Sequence, residues 1–131
     1  MIRDARCACG ALRLRCSGDP VSVSICHCVE CRRRTGSAFG VQVRFGRAQV
    51  EVEGTSRSYV RRGDSGGRVE LHFCGTCGST VFWAPDGLPD QWVVALGAFD
   101  DPAFATPRTS VYEARRLDWV ELSALQLERI D

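Results

Sequence analysis

The chain contains 131 residues, of which 44% are hydrophobic and 25% are charged, so it fits a single globular domain over residues 1–131 and excludes a disordered or collagen-like chain. Seventeen basic and sixteen acidic side chains leave a net charge of +1, which gives no overall field to attract nucleic acid or an anionic membrane. All seventeen basic residues are arginines, and the absence of lysine excludes Schiff-base and phosphate-loop lysines.

Short segments of alternating polar and apolar residues dominate the chain, and turns rich in glycine separate them. This two-residue period is typical of strands with one buried face. The turns between the earlier strands are marked by residues 18–20, Gly54 and residues 63–67. In chain order, the predicted strands are residues 12–16, 21–25, 41–45, 49–53, 68–73, 80–83, 92–97 and 109–112.

The sequence predicts little helix. Residues 117–129 have the mixed spacing of a short terminal helix, although residues 119–122 fit a last strand equally well. We therefore predict a mainly β, antiparallel architecture. Because the domain is small, we expect bound metal to help hold its core together.

The chain has no sequence feature of a membrane or secreted protein. No apolar run reaches the roughly 18 to 20 residues that span a bilayer, and the first residues lack the apolar core of a signal peptide. These features predict a cytoplasmic location, where thiols are kept reduced. The eight cysteines are about 6% of the chain, fewer than in a disulfide scaffold, so we expect them to bind metal.

Two CxxC motifs and two CxC motifs form the metal-binding pattern. The CxxC motifs are residues 28–31 and 74–77, and the CxC motifs are residues 7–9 and 26–28. A CxC pair in an extended chain places both sulfurs on one face, and tetrahedral zinc takes four ligands. The pattern divides into a three-cysteine set of Cys26, Cys28 and Cys31, compact enough to bind one ion, and a four-cysteine set of Cys7, Cys9, Cys74 and Cys77.

The number of ligands at each ion has a functional consequence. Four protein ligands close a zinc ion and make it structural, whereas three leave a position for water or substrate. We expect a structural zinc at the four-cysteine set, with disulfides or free thiols as the alternatives. At the three-cysteine set we expect an open, catalytic zinc. The alternatives there are closure by Cys16 or a histidine, and the absence of a stable ion.

The remaining cysteine and the two histidines have other expected roles. Cys16 ends a predicted strand, where we expect a small buried hydrophobic side chain. His27 lies between two expected ligands, so its side chain points the opposite way; we expect a role at the surface or behind the ligands, with ligation or proton transfer as the alternative. For His72 we expect a structural imidazole, with a hydrogen bond to a thiolate as the alternative.

A run of three arginines, residues 32–34, follows the three-cysteine set. A nucleic-acid surface needs more basic residues on one face than this run supplies. We expect the run to provide positive potential beside the thiolates and to hold a carboxylate of the substrate. The predicted substrate-binding residues are Arg32, Arg33 and Ser37.

Three cysteine signatures follow one another along the chain: CACGAL at residues 7–12, CHCVECRRRTGSAF at residues 26–39 and FCGTCGS at residues 73–79. Weaker signatures are GAFDDP at residues 97–102 and Trp119. In order and spacing they resemble those of the glutathione-dependent formaldehyde-activating enzyme family, which centromere protein V also represents. The resemblance covers nearly the whole chain.

The resemblance implies a β-tent fold of antiparallel sheets with two zinc ions. Carried over by position, it assigns the four-cysteine set to the structural ion and the three-cysteine set to the catalytic ion. This is the division that the spacing suggests. The implied activity is that of a carbon–sulfur lyase or synthase, which adds a small, glutathione-like thiol to formaldehyde or a related electrophile and gives an S-hydroxymethyl adduct.

In such an enzyme, a thiol at the open zinc loses its proton and attacks the carbonyl carbon. The alternative function is a non-enzymatic zinc module that carries a thiol or binds a protein partner. A chain without lysine or asparagine fits a GC-rich bacterial genome, where the thiol is not restricted to glutathione. The developing alkoxide needs a donor, for which the candidates are His27, Thr35, Ser37 and the arginine run.

Overall fold

The computed structural model describes residues 1–63 and 65–131. Asp64, in the predicted turn at residues 63–67, lies outside them. The described chain forms eleven strands and one α-helix, together with four short 3₁₀ turns. They are β1 (Ile2–Arg6), β2 (Arg13–Ser17), β3 (Ser22–Cys26), α1 (Val29–Thr35), β4 (Gly40–Gly46), β5 (Val50–Glu53), β6 (Arg57–Arg62), β7 (Arg68–Phe73), β8 (Thr80–Pro85), β9 (Gln91–Ala95), β10 (Thr109–Val111) and β11 (Glu128–Arg129).

A three-stranded antiparallel sheet has the order β1-β2-β5. Strand β2 lies between its two neighbours and alternates as the sequence predicts. Leu14 and Cys16 are buried, whereas Arg13 and Arg15 are exposed. The apolar face of this sheet is therefore turned toward the core, and its arginines lie in solvent.

An eight-stranded sheet has the order β11-β10-β3-β4-β9-β8-β7-β6. Its neighbouring strands are antiparallel except at β10, which is parallel to both β3 and β11. The pairing of β10 with β3 places Val111 opposite Cys26. All eight predicted strands are present, with ends that shift by at most two residues. The predicted mainly β architecture is therefore confirmed.

Strands β1 and β6 and helix α1 are not predicted from the sequence. Charged side chains make up most of β1 and half of β6, which hides the alternation of a half-buried strand. Helix α1 has only seven residues. It begins because the side chain of Cys28 accepts a hydrogen bond from the backbone N–H of Cys31, and it ends at Gly36, whose φ of 65° lies in the left-handed region that favours glycine.

The predicted terminal helix at residues 117–129 is wrong, and so is the alternative strand at residues 119–122. The segment forms turns, one of them closed by a 3.0 Å hydrogen bond from the Val120 N–H to the Leu117 carbonyl, and then the short β11. Its apolar side chains do not share one face, since Val120 is buried while Trp119 is 75% exposed. A helix there would have no continuous apolar stripe to bury.

The core lies between the two sheets. Leu14 and Cys16 of the smaller sheet belong to one fully buried cluster with Val43, Phe45 and Val94 of the larger sheet. This packing joins the sheets along the side where the four-cysteine set lies. No helix in the described part of the chain combines the length and apolar character needed to cross a membrane.

Candidate metal centres and the adjoining cavity

The four-cysteine set comes together where the two sheets meet. The turn after β1 supplies Cys7 and Cys9, and the turn after β7 supplies Cys74 and Cys77. Their Sγ atoms all lie within 4.8 Å of one another, and the Cys7–Cys9 and Cys9–Cys74 separations are both 3.6 Å. Cys7 and Cys74 are buried, whereas Cys9 and Cys77 are exposed. The cluster therefore links turns that are 65 positions apart in sequence.

The spacing of these sulfurs fits zinc. Four sulfurs about 2.3 Å from one ion, at the corners of a tetrahedron, are about 3.8 Å from one another, close to the observed separations. The backbone N–H of Leu12 donates to Cys7 Sγ at 3.3 Å, which supports a thiolate. The hydroxyl and backbone N–H of Ser79 lower the pKa of Cys77 to about 5. The donor set is therefore suited to a zinc ion.

The three-cysteine set lies at the junction of β3 and α1. Cys26 ends β3, Cys28 caps the helix, and Cys31 follows in its first turn, on the same side. The three Sγ atoms lie within 4.8 Å of one another, and all three residues are buried. Hydrogen bonds from Cys26 and Cys31 lower the pKa of Cys28. Within the described residues no fourth side-chain ligand joins this cluster, so a tetrahedral zinc bound here has room for another ligand.

His27 points away from the three-cysteine set and into the protein. Its ring is fully buried, and Nε2 lies 3.0 Å from both Ser110 Oγ and Glu113 Oε2. Burial lowers the pKa of His27, although the nearby Glu113 opposes this effect. The expected surface position is wrong, because strand alternation directs the ring into the core. The contacts agree with the expected role behind the ligands.

Glu113 is part of this network, and sequence reasoning misses it. Its side chain is only 7% exposed. The carboxylate accepts hydrogen bonds from Ser110 and Arg129 and pairs with Arg116 at 3.3 Å. Burial opposes its ionisation, but these hydrogen bonds outweigh burial and lower the pKa of Glu113. No local motif marks the residue, because the network joins distant parts of the chain.

The arginines of α1 point in different directions. Arg33 is exposed and pairs with Glu30 at 3.4 Å. Arg32, Arg33 and Ser37 line a cavity of about 400 Å³ together with Trp119. None of the eight cysteines, all of which the structure describes, lines this cavity. The role of these three residues in binding substrate stays a prediction.

Arg34 turns toward the three-cysteine set instead. Its guanidinium carbon lies 4.0 Å from the centre of the Trp83 ring, an arrangement that favours a cation. Gly40 makes room for this group, since a Cβ at position 40 would lie 2.5 Å from Arg34 Nη2. Burial lowers the pKa of Arg34, while Cys31 beside it opposes that effect. Arg34 is therefore the arginine of the run that supplies positive potential next to Cys31.

Cys16 and His72 have structural surroundings, as the sequence predicts. Cys16 is fully buried in the core, outside both cysteine sets, and burial raises the pKa of its thiol to about 12. His72 stacks on Phe82, with 4.6 Å between ring centres. Its Nδ1 lies 3.3 Å from Ser56 Oγ and its Nε2 lies 3.1 Å from Glu70 Oε1. Both ring nitrogens are thus occupied away from the cysteines.

A cavity of about 590 Å³ lies beside the three-cysteine set, within the size range of small-molecule sites. Cys26 and Cys31 form part of its wall. The buried Nε–H groups of Arg44 and Arg61 have no hydrogen-bond partner among the described residues, and an unpaired buried donor is costly. Arg68, Trp83, Val111, Tyr112 and Asp131 also line the cavity.

The charge of this cavity favours an anionic ligand. Its described lining holds three arginines against one carboxylate, Asp131. A larger groove, of about 670 Å³, runs beside Cys7 and reaches Arg34, but no member of the three-cysteine set lines it. Arg6 and Asp100 on its wall pair with each other at 3.7 Å. The smaller cavity therefore brings three arginines next to the three-cysteine set.

Comparison with known proteins identifies the family to which this chain belongs. The sequence model of the glutathione-dependent formaldehyde-activating enzyme family matches residues 2–115. The chain belongs to this family. The match includes both cysteine sets of the chain, together with the cavity residues Arg44, Arg61 and Tyr112. The residues after 115, which contain the incorrectly predicted helix, lie outside it.

A solved structure gives independent support for the fold. The crystal structure of a Rhodobacter sphaeroides protein, a structural genomics target, matches this family member with a TM-score of 0.58 at 17% sequence identity. The match covers 98% of this chain and 99% of that chain. At this level of identity the likeness shows the fold alone. The search of curated proteins gave no significant match.

Proposed function

We propose that this protein is a zinc-dependent carbon–sulfur lyase or synthase that joins a small thiol to formaldehyde or a related electrophile. The observation that carries the proposal is a buried three-cysteine set that opens onto a cavity lined by arginines. Three thiolates leave one position at a tetrahedral zinc ion, and the cavity offers space for the ligand that takes it. A purely structural zinc module needs neither feature.

The two cysteine sets would serve different purposes. The four-cysteine set would hold a closed, structural zinc that ties the two sheets together, and the three-cysteine set an open one. When bound, the open ion favours the thiolate form of a thiol ligand. All eight cysteines are free thiols, which suits a cytoplasmic location, where thiols are kept reduced.

The proposed reaction forms one bond between the thiol sulfur and the carbonyl carbon. The thiol proton ends on the carbonyl oxygen, which gives the S-hydroxymethyl adduct, and the reverse reaction breaks the same bond. The cavity would hold the thiol with its sulfur toward Cys26 and Cys31. Arg44 and Arg61 would bind the anionic end, because their buried Nε–H groups, which have no partner within the described part of the chain, match a carboxylate or sulfonate.

The preference among thiols tests this function. We expect glutathione, 3-mercaptopropionate and 2-mercaptoethanesulfonate, which carry anionic groups, to turn over faster than the neutral 2-mercaptoethanol and the cationic cysteamine. The rate is measured with the zinc-loaded protein by NMR exchange between free thiol and its formaldehyde adduct. The spontaneous rate is subtracted, since thiols and formaldehyde combine without help.

Two substitutions locate the anionic end. Arg44→Gln and Arg61→Gln should each raise KM for 3-mercaptopropionate by about tenfold, as expected for the loss of a charged hydrogen bond, and leave KM for 2-mercaptoethanol unchanged. If the anionic end binds instead at the site predicted from the sequence, Arg33→Gln raises this KM. The exposed Arg15→Gln is the control and should leave KM unchanged. A wild-type protein that never exceeds the spontaneous rate with any thiol would contradict the proposal and favour the zinc module.

A further inference from the structure

The proton donors expected from the sequence do not face the cavity beside the three-cysteine set. His27 is buried against Ser110 and Glu113. The hydroxyl of Thr35 donates to the carbonyl of Cys31 at 2.9 Å. Ser37 lines the separate cavity beside α1. None of the three arginines of residues 32–34 lines the cavity beside the three-cysteine set. The oxygen of an electrophile in this cavity therefore needs a different donor.

We propose that Tyr112 is this donor, and hence a catalytic residue of the reaction proposed above, on which the inference rests. Tyr112 lines the same cavity as Cys26 and Cys31 and packs against the three-cysteine cluster. The side chain is only partly buried there, which leaves it accessible to a ligand in the cavity. A phenol both donates and accepts hydrogen bonds, so its hydroxyl can bond to a carbonyl oxygen.

The backbone conformation of Tyr112 supports the proposal independently. With a φ of 54° and a ψ of 42°, it is the only non-glycine residue of the described chain with a positive φ. A bulky side chain rarely adopts this left-handed conformation, and such strain concentrates at active sites. Val111 on one side pairs with Cys26, and Glu113 on the other contacts His27. Both neighbours thus fix the strained residue beside the three-cysteine set.

The proposed step balances in protons and electrons. As the bond between sulfur and carbon forms, the π electrons of the carbonyl group move to its oxygen. The thiol has by then released its proton to solvent water. The O–H of Tyr112 gives its proton to the carbonyl oxygen, and the resulting tyrosinate takes a proton back from solvent. In the reverse direction Tyr112 first loses its proton to solvent, and the tyrosinate then removes the hydroxyl proton of the adduct. Neither direction needs an oxidant or a reductant.

The substitution Tyr112→Phe removes the hydroxyl and keeps the ring and the backbone strain. With glutathione and formaldehyde as probes, we expect kcat to fall by about 10²-fold, the size of a general acid contribution. KM for glutathione should change by less than about twofold, because this variant retains Arg44 and Arg61. Zinc content, and the affinity for glutathione measured by calorimetry, should stay unchanged.

Matched variants separate a donor from a structural role. Tyr59→Phe changes the other tyrosine of the chain, which is exposed on β6, and should leave kcat unchanged. Tyr112→His keeps a donor and tolerates a positive φ better than most residues, so it should recover part of the kcat lost in Tyr112→Phe.

The results that overturn the proposal are distinct. A Tyr112→Phe protein with full kcat removes the role of the hydroxyl and leaves the proposed function intact. A fall in kcat that comes with lost zinc or weaker glutathione binding assigns Tyr112 a structural role instead. A wild-type protein without activity above the spontaneous rate overturns the proposed function itself, and the role of Tyr112 with it.

Discussion

Glu113 holds a negative charge in a nearly closed space behind the three-cysteine set. Ser110 and Arg129 donate hydrogen bonds to it. The side chains of His27, which follows β3, and Arg116, which follows β10, also face it. Despite its burial, these contacts hold the pKa of Glu113 below the ordinary value of 4.5. The ionised form is therefore the one that stabilises the folded protein.

We expect Glu113→Gln to lower the free energy of unfolding by about 2 kcal/mol near neutral pH, since hydrogen bonds to charged groups contribute roughly 1.5–3 kcal/mol. This stabilisation is fully present above the pKa of the unfolded chain. It is lost as the pH falls through the lower pKa of the folded protein. The difference between wild type and variant should therefore narrow below pH 4.5.

Urea unfolding of both zinc-loaded proteins at a series of pH values checks this expectation. Glu128→Gln, an exposed residue of β11, is the control and should cost little at any pH. A carboxyl of ordinary pKa titrates near pH 4. If the difference in free energy of unfolding between wild type and Glu113→Gln stays constant down to that pH, the charge of Glu113 contributes nothing to stability.

At the residue scale, the sequence predicts what is local. Cys26, Cys28 and Cys31 come together because six consecutive positions join the end of a strand to one turn of helix. Arg44 reaches the same cavity from β4, and Tyr112 reaches it from the turn after β10. Their positions depend on sheet order and register, and no spacing between neighbouring residues encodes either. The ligand cysteines could therefore be grouped from the sequence, but the cavity residues could not.

Helix α1 lies in the cysteine-rich segment, yet the sequence pattern does not predict it. Its CxxC motif indicates a metal-binding turn, and Cys31 is its only buried residue. A single buried position gives no helical period to detect. The helix depends instead on its cap at Cys28. The sequence does not predict strand β6 for a related reason. It lies at the edge of the sheet with five exposed residues and one half-buried residue, so its sequence does not alternate between polar and apolar residues.

The two cysteine sets connect elements at very different separations. The four-cysteine set ties the turn after β1 to the turn after β7, across 65 positions, whereas the three-cysteine set links only β3 to the adjoining α1. Because a structural zinc contributes about 10–16 kcal/mol in small modules, we expect Cys74→Ser to lower Tm by about 10 °C more than Cys31→Ser does.

Calorimetric melting of the two zinc-loaded variants measures this difference. Cys16→Ala removes a buried sulfur outside both sets, so it shows what the loss of core packing costs without any loss of metal. Equal Tm values for Cys74→Ser and Cys31→Ser would mean that the four-cysteine set does not hold the sheets together.

For the whole molecule we expect two zinc ions per chain, with unequal rates of loss. The three-cysteine ion has an open position that a chelator reaches through the cavity, whereas four sulfurs close the other ion. Native mass spectrometry during chelation should therefore show one ion lost while circular dichroism still reports the fold. Loss of both ions in a single step, together with unfolding, would contradict the division of roles.

At this scale the sequence predicts the class of the fold but not its sheet order. Alternating segments indicate strands, and most neighbouring strands are antiparallel as expected. Strands β10 and β3 are parallel neighbours in the sheet, although several strands separate them in sequence. The hydrophobic period of a segment shows that it is a strand but not which strand it pairs with. The incorrect helix at residues 117–129 has the same cause, because the spacing of apolar residues there does not show that the end of the segment pairs with β10. Those residues form turns that lead to β11, which pairs with β10.

The separation of β3 and β10 along the chain has a consequence during synthesis, because β3 is made long before the strand that pairs with it. Cys26, Cys28 and Cys31 leave the ribosome long before Ser110, which lies 83 positions after His27. At about 5–20 residues per second, these thiols wait roughly 4 to 17 s for the strand that buries them. During that interval a nascent chain offers three bare sulfurs to oxidants as well as to zinc. If zinc binds here as proposed, we expect a shortage of the metal in those seconds to lower the yield of protein that carries an ion at the three-cysteine set.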